Sequence, residues 1–469
     1  MREEQPGAFR DGVTWVIALA VFAAYLTISL SRLRTLNPMS WDLGIYTEYV
    51  KQYADLRVPV VDVRGAGFNL LGDHFQPIVA LIAPFFRVFP SPATLLAAQA
   101  ALTALSVFGV AGAGLALLGS PWRARAVALA YGFSWGLQQM IDFDFHEIAF
   151  AVPLLAFSLS ALARGRWRAC VAWALPLVFV KEDQGFTVAA IGLLVAAVGW
   201  RSGDRARTRG GALLALWGLA WSLLAITVII PALNPQHHYY YWKDGAAPGA
   251  SPAGLLAQPF HGSGEKLHTL LFLLLTTVFI CLGSPAALVT LPSLALRFVS
   301  ANTAYWGTLW HYNATVMPIL FISAIEVMGR WRRSGNRVLS LVPRFGPAAM
   351  VIAACAFAFQ FPLRDLWDGT AYASGGPRAA AADAAMARVP DGAAVQTTLD
   401  LLAPLAARTD TFWIGNPGNP ATRYVVFDGL DSGYSPAPGD VPAFIQQILP
   451  RDGYRVIFSD DDIYVFERS

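Results

Sequence analysis

The sequence predicts an α-helical polytopic membrane protein with a small α/β domain at its C-terminal end. Three features point there. Of 469 residues, 55% are hydrophobic and only 14% are charged, against about 25% charged in an ordinary soluble domain. Apolar runs recur at lengths near the ~20 residues that a helix needs to cross a bilayer. After residue 363 the pattern changes to short alternating strands punctuated by Pro and Gly. Mean hydropathy is +0.47, so lipid is the main solvent. The formal net charge of +3 comes from scattered arginines with no basic block, which argues against nucleic acid as a partner. Cys170, Cys281 and Cys355 lie far apart in apolar stretches, a distribution that suits neither disulfides nor a cysteine metal site.

The first apolar run, 13–30, follows Arg2 and Arg10 and lacks a clean small-residue cleavage site after it, so it reads as a retained span. Further runs follow at 93–118, 124–140, 148–163, 169–180, 185–200, 213–230, 267–281, 286–296, 314–328 and 348–361, which makes about eleven spans. The stretch 75–89 is apolar but short and ends in Phe89-Pro90-Ser91-Pro92, as expected of a re-entrant or interfacial helix. Arginine placement sets the topology, because short cytoplasmic loops are enriched in Lys and Arg. Arg2 and Arg10, Arg123 and Arg125, Arg164 to Arg168, Arg201 to Arg209 and Arg330 to Arg344 fall on one side if 75–89 does not cross. That side is expected to be cytoplasmic, and the N-terminus with it. The loops 31–74, 141–147, 181–184, 231–266 and 297–312 then face outward, as does a C-terminal domain over 364–469. In that domain strands are expected at 393–398, 411–414, 423–427, 454–458 and 463–466, with helices at 399–407 and 441–449. It carries no Gly-rich phosphate loop.

The outward loops hold most of the remaining ionisable residues. In Trp41-Asp42-Leu43-Gly44 a carboxylate stands just past the first span, beside an indole at the depth of a lipid headgroup. Asp42 either acts as general base on an acceptor hydroxyl, which requires an approach of about 2.6–3.2 Å, or caps a helix over 43–54. In Gly72-Asp73-His74-Phe75-Gln76-Pro77, Asp73 or His74 caps the short apolar helix, or the pair binds substrate, with His74 on a phosphate or sugar hydroxyl. Asp142-Phe143-Asp144-Phe145-His146-Glu147 places four ionisable groups in six residues. Extended backbone would set Asp142, Asp144 and His146 on one face and the phenylalanines on the other. Such a set suits a divalent cation or a sugar.

Lys181-Glu182-Asp183 interrupts apolar sequence, and a lysine here runs against the positive-inside bias. Lys181 either neutralises a phosphate leaving group or pairs with Glu182 or Asp183 and ends a helix. The run from His237 to Trp242 reads as an interfacial aromatic belt, or as a platform for stacking sugars. In Trp310-His311-Tyr312-Asn313, His311 is a capping or core histidine or a phosphate ligand. The sequon Asn313-Ala314-Thr315 lies too near the membrane for glycosylation to be expected.

On the runs Asp42-Leu43-Gly44, Gly72-Asp73-His74-Phe75 with Pro77, Asp144-Phe145-His146 and Lys181-Glu182-Asp183, and on the closing α/β domain, the chain resembles the prokaryotic predicted membrane proteins of domain of unknown function DUF2079. More distantly it is similar in layout to the type C glycosyltransferases (GT-C), among them the protein mannosyltransferases and the aminoarabinose transferase of lipid A. Those enzymes place an acidic residue in a long first outer loop, then proline-led interfacial helices, then many spans. Asp42 matches the acid and 74–89 matches the interfacial helix, although Phe75-Gln76-Pro77 stands where the relatives have paired prolines. The resemblance implies a GT-C-like membrane glycosyltransferase of the cell envelope. It would transfer a sugar with inversion from a polyprenyl-phosphate donor to an extracytoplasmic glycan, lipid or protein.

In that reading Asp42 is the base and Lys181 the leaving-group cation, with His74 or His311 as its substitute. Trp41, Asp73, Asp142, Asp144, His146, Glu147, Glu182 and Asp183 line the substrates, no metal ligand is assigned, and a divalent cation is allowed for but not required. The rival readings are a transporter or flippase, against which the charges cluster at span ends on one side and no internal repeat is evident, and a non-catalytic membrane scaffold.

Overall fold

The structure, a computed structural model, describes residues 7–37, 41–243, 258–430, 433, 438–450 and 453–469. Arg2 and the middle of the loop 231–266 lie outside the described residues. The chain opens with α1 (Gly12–Arg34), capped by the Asp11 carboxylate on the Thr14 N–H, and α2 (Asp42–Ala54) follows. The helical body continues through α3 (Pro92–Leu117), α4 (Trp135–Asp142), α5 (Gln184–Ser202), α6 (Arg205–Leu224), α7 (Val316–Trp331) and α8 (Arg337–Ala358).

Six of the eleven apolar runs lie in helices long and apolar enough to cross a membrane: Gly12–Arg34, Pro92–Leu117, Gln184–Ser202, Arg205–Leu233, His311–Trp331 and Arg337–Ala358. The helices Glu147–Ala163, Trp167–Phe179 and Pro285–Val299 are shorter, so among the described residues length and composition mark six spans of the eleven expected. The run 124–140 is broken between Gly132 and Trp135, where the Tyr25 hydroxyl donates to the Gly132 carbonyl at 2.7 Å. The stretch Pro77–Val88 forms two short helical pieces, about 18–20 Å long at helical rise and too short to span. Its Val79, Ile82 and Phe86 are buried while Leu81, Phe85 and Val88 are exposed, the pattern of an interfacial element.

Packing between the spans uses small residues. A Cβ at Gly185 on α5 would lie 2.3 Å from the Gly218 carbonyl oxygen on α6, and one at Gly192 would lie 2.4 Å from the Ala215 nitrogen. Glycines two turns apart therefore let these backbones touch, which is how helices gain van der Waals contact where lipid provides no hydrophobic drive.

Ion pairs mark both ends of α1. At its start Arg125 pairs with Asp11 at 2.6 Å, and Arg164 lies close to Gly112 and Ala8. At its end, about 34 Å away by helical rise, Arg32 reaches Asp142.

The C-terminal part forms one five-stranded sheet, β1 (Ala394–Thr397), β2 (Asp410–Trp413), β3 (Tyr424–Asp428), β4 (Tyr454–Asp460) and β5 (Ile463–Arg468), in the order β2-β1-β3-β5-β4. The strands occupy the five stretches marked by alternation. β1 pairs in parallel with β2 and β3, through the crossover helix α9 (Leu399–Ala406), while β5 runs antiparallel to β3 and β4. The sheet does not stand apart: Leu402, Ala403 and Ala406 of α9 belong to the main core. Lys51 on α2 donates to the Thr409 carbonyl at 2.6 Å, and Asn416 donates to the Val63 carbonyl at 2.8 Å. Gly44 permits the contact between α2 and α9, since a Cβ there would lie 2.9 Å from Leu402 Cβ.

Candidate functional site

Asp42 is the first residue of α2 and Trp41 holds the cap position without a side-chain cap bond, so the helix-capping reading of Asp42 is not what forms. A carboxylate in the first turn still faces the positive end of the helix dipole. Asp42 Oδ2 lies 3.9 Å from His146 Nε2. Burial is the main influence on Asp42 and pushes its pKa up; His146 opposes this and Glu147 adds to it. Trp41 has partners within the protein. It packs edge-on against Trp413 of β2 at 5.0 Å, with the Arg64 guanidinium 5.7 Å from its ring.

From His146 a chain of buried charge runs inward. His146 Nδ1 meets Glu147 Oε2 at 2.5 Å, and Lys181 Nζ stands 3.2 Å from Glu147 Oε1. The Tyr46 hydroxyl donates to Glu147 and lies 2.9 Å from Gln76 Oε1. The Glu147 side chain has no exposed surface, so its charge is compensated by these neighbours and not by water, as a buried carboxylate requires. The His311 ring stacks on His146 with centroids 3.6 Å apart and planes 19° from parallel.

A second cluster adjoins the first. His74 Nδ1 meets Glu182 Oε1 at 2.7 Å, and Glu182 also accepts from the Phe75 N–H at 3.1 Å and the Tyr239 hydroxyl at 2.8 Å. The His74 ring stacks on Tyr241 at 4.3 Å. Asp73 accepts from the Tyr241 hydroxyl at 3.4 Å and from Arg64 Nε at 3.3 Å. Neither Asp73 nor His74 caps the following helical turn, whose cap position is Gln76. Burial disfavours the charged form of His74, but Glu182 outweighs it and the pKa rises. The same pair holds Glu182 below the usual carboxylate range despite its burial. Burial likewise works against a charged Lys181, yet Glu147, Glu182 and Asp183 together hold its pKa well above the ordinary lysine value. The Asp183 carboxyl is pushed up, chiefly by burial.

These groups border a cavity of about 520 Å³ lined by Lys181, Glu182, Asp183, Arg297 and His311, with Tyr239, Tyr241, Tyr305 and Tyr312 adding aromatic surface. Its wall also includes Ile226, within the π-turn Ala225–Ile229 that continues α6, a distortion frequent at functional sites.

The segment from Asp142 to Glu147 is not the extended strand that alternation suggests. Asp142 ends α4 and Asp144 has φ 63°, so Asp142 and Asp144 turn toward Arg32, at 2.6 and 3.8 Å, while His146 turns toward Asp42. The Gln99 amide pins this bend, donating to the Met140 carbonyl at 3.2 Å and to the Asp144 carbonyl, and accepting from the His146 N–H at 3.0 Å. Lys181 pairs across the fold with Glu147 rather than with either neighbour in sequence. Tyr239 and Tyr241 face Glu182 and His74, whereas His237 and His238 are solvated and bond only locally.

Among the described residues, no three His, Cys, Asp or Glu side chains gather as a metal site, and Glu147, Glu182 and Asp142 are each held by a cation of the chain. The three cysteines are free. Asn313 is buried, donates to the Gly307 carbonyl at 3.2 Å and accepts from Arg297 at 2.9 Å, so the sequon is structural.

Sequence reasoning missed Arg32, Tyr46, Gln76, Gln99 and Arg297. The signal for Arg32 and Arg297 is the one that singled out Lys181, a basic residue in a stretch that arginine placement leads one to expect on the outward side.

A family model described as predicted membrane protein (DUF2079) matches residues 32–423. No curated protein matches the chain. Among solved structures the fold is similar to ArnT from Cupriavidus metallidurans bound to undecaprenyl phosphate, with 14% identity and a TM-score of 0.53, covering 96% of this chain and 97% of that one. It is similar also to the apo state of ArnT, with 13% identity and a TM-score of 0.50 over the same shares. At such identities the likeness is one of fold.

Proposed function

The chain belongs to the DUF2079 family of predicted membrane proteins, and from that premise we propose that it is a membrane glycosyltransferase. It moves a sugar from a polyprenyl-phosphate donor to an acceptor on the non-cytoplasmic side of the cell membrane. The observation that carries this reading is the Asp42 carboxylate, 3.9 Å from His146 at the end of a buried chain through Glu147 to Lys181, whose ammonium lines the neighbouring cavity. A base and a cation for the leaving group are thereby supplied from one preorganised network.

Asp42 takes the proton of the acceptor hydroxyl. The acceptor oxygen bonds to the anomeric carbon as the bond from that carbon to the phosphate oxygen breaks, and polyprenyl phosphate leaves with the electron pair. Burial raises the basicity of Asp42 toward what proton abstraction near neutral pH needs. Lys181 and protonated His74 stabilise the departing phosphate in a site poor in water, where Coulomb attraction is strong. His146 and Glu147 position Asp42 and Lys181, and the tyrosines of the cavity offer sugar-stacking faces. The fold, shared with ArnT, a type C glycosyltransferase, supports the class of reaction. We place the C-terminal α/β domain, 364–469, on the outer side with the site, where it helps recognise the acceptor.

The test is transfer of labelled sugar from a panel of polyprenyl-phosphate monosaccharides by protein in nanodiscs, comparing wild type with Asp42→Asn. One donor should be consumed, and the substitution should abolish turnover while leaving donor binding intact. If every donor is neither bound nor consumed, the transferase reading fails and translocation becomes the question. Undiminished transfer by Asp42→Asn would remove the base assignment alone.

A further inference from the structure

A second cavity, of about 620 Å³, adjoins the segment that carries His311. Gln139, Asp142 and Leu309 line this second cavity, while His311 and Tyr312 line the first, so the segment 309–312 is shared between the two. That segment is held against α4: Gln139 donates to the Thr308 carbonyl at 3.2 Å, and the Phe143 ring lies 4.9 Å from both Trp310 and His311. Trp310 has φ 68°, a conformation that a bulky side chain holds only under constraint. Two cavities that share one segment suit a reaction between two bound partners.

The polar lining of the second cavity is matched within itself. Arg32 pairs with Asp142 at 2.6 Å, and Arg364 with Asp365 at 3.6 Å, so two positive groups meet two negative ones. An anion entering here would compete with carboxylates already held by both guanidiniums, and a cation would meet the converse. A neutral polyol meets neither obstacle. Its hydroxyls accept from guanidinium and amide N–H groups and donate to the remaining carboxylate and carbonyl lone pairs. Gln139, Asn37 and Gln360 supply planar amides, and Phe361 and Pro362 supply an apolar patch for the C–H face of a sugar ring. The volume falls within the range of small-molecule sites, roughly 300–1,000 Å³.

We propose that this cavity binds an uncharged carbohydrate. Taken with the transferase reading, on which the role of acceptor rests, the acceptor is then a neutral glycan terminus rather than a phosphorylated lipid or an acidic protein segment. The binding itself is tested without any transfer.

The experiment uses the full chain in nanodiscs and saturation-transfer NMR with methyl glycosides of glucose, galactose, mannose and arabinose, with mannose 6-phosphate as the charged control. Wild type is compared with Ala373→Trp, which fills the rim at an exposed lining position, and with Arg364→Gln. At least one glycoside should bind wild type; Arg364→Gln should weaken it by about fivefold, the effect of one hydrogen bond, and Ala373→Trp by at least as much through occlusion of the rim. Mannose 6-phosphate should bind less tightly than methyl mannoside. Undecaprenyl phosphate should bind wild type and both variants alike. No glycoside binding, equal binding by wild type and Ala373→Trp, or preference for the phosphorylated sugar would overturn the proposal. Undecaprenyl phosphate failing to bind wild type would count against the donor reading and leave the glycoside result standing.

Discussion

Lys181 has two tasks in the proposed mechanism, and a pair of variants separates them. Its Nζ lies 3.2 Å from Glu147 Oε1, with 15% of the lysine side chain exposed and none of the glutamate. At an effective dielectric near 20 such a pair attracts by roughly 5 kcal/mol before desolvation, and breaking a buried pair by removing one member costs about 3–5 kcal/mol. Glu147 would keep His146 and Tyr46, which places Lys181→Met near the lower end, a loss of about 3 kcal/mol. Adding Glu147→Gln removes the stranded charge and should restore stability to within about 1 kcal/mol of wild type. Donor affinity should behave differently. The ammonium is absent from both variants, so undecaprenyl phosphate should bind each about 10- to 100-fold more weakly, the value of a charge-assisted hydrogen bond. Unfolding in SDS mixed micelles measures the first quantity and microscale thermophoresis the second. Recovery of lipid affinity in the double variant would reduce Lys181 to a counter-ion of Glu147, and a fully stable single variant would show that Glu147 does not depend on it.

Gly44→Ala sets a Cβ 2.9 Å from Leu402 Cβ, an overpacking expected to cost about 1–3 kcal/mol. Because Asp42 is two residues upstream, transfer should fall while donor binding holds. Burial pushes the Glu48 carboxyl up to about 8, against a pull down from Lys51. A folded-state pKa above the unfolded value stabilises fully below about 4.5 and is lost as pH rises through about 8. Wild type should therefore lose stability relative to Glu48→Gln across that window, and parallel unfolding curves would contradict the assignment. Asn313→Ala leaves an Arg297 N–H without its acceptor and should cost about 1–3 kcal/mol. Peptide mapping after expression in a glycosylating host should find Asn313 unmodified.

The sequence alone determined the membrane class, the five strands near the C-terminus and the loops that hold the candidate site. Charge in apolar sequence is costly, so Asp42, His74, His146, Glu147, Lys181 and Glu182 stand out one by one, and strand alternation is a local property of the chain. Partnership was decided only in the tertiary structure. Lys181 has two carboxylates beside it in sequence and takes Glu147 from a distant segment. Asp142 and His146, alike by alternation, part at the left-handed Asp144 because Gln99 of α3 holds the bend. Arg32 becomes the partner of Asp142 because α1 ends beside α4. A buried ion pair is chosen by which side chains the packing of distant helices leaves within about 4 Å in the absence of water, and no local pattern carries that information.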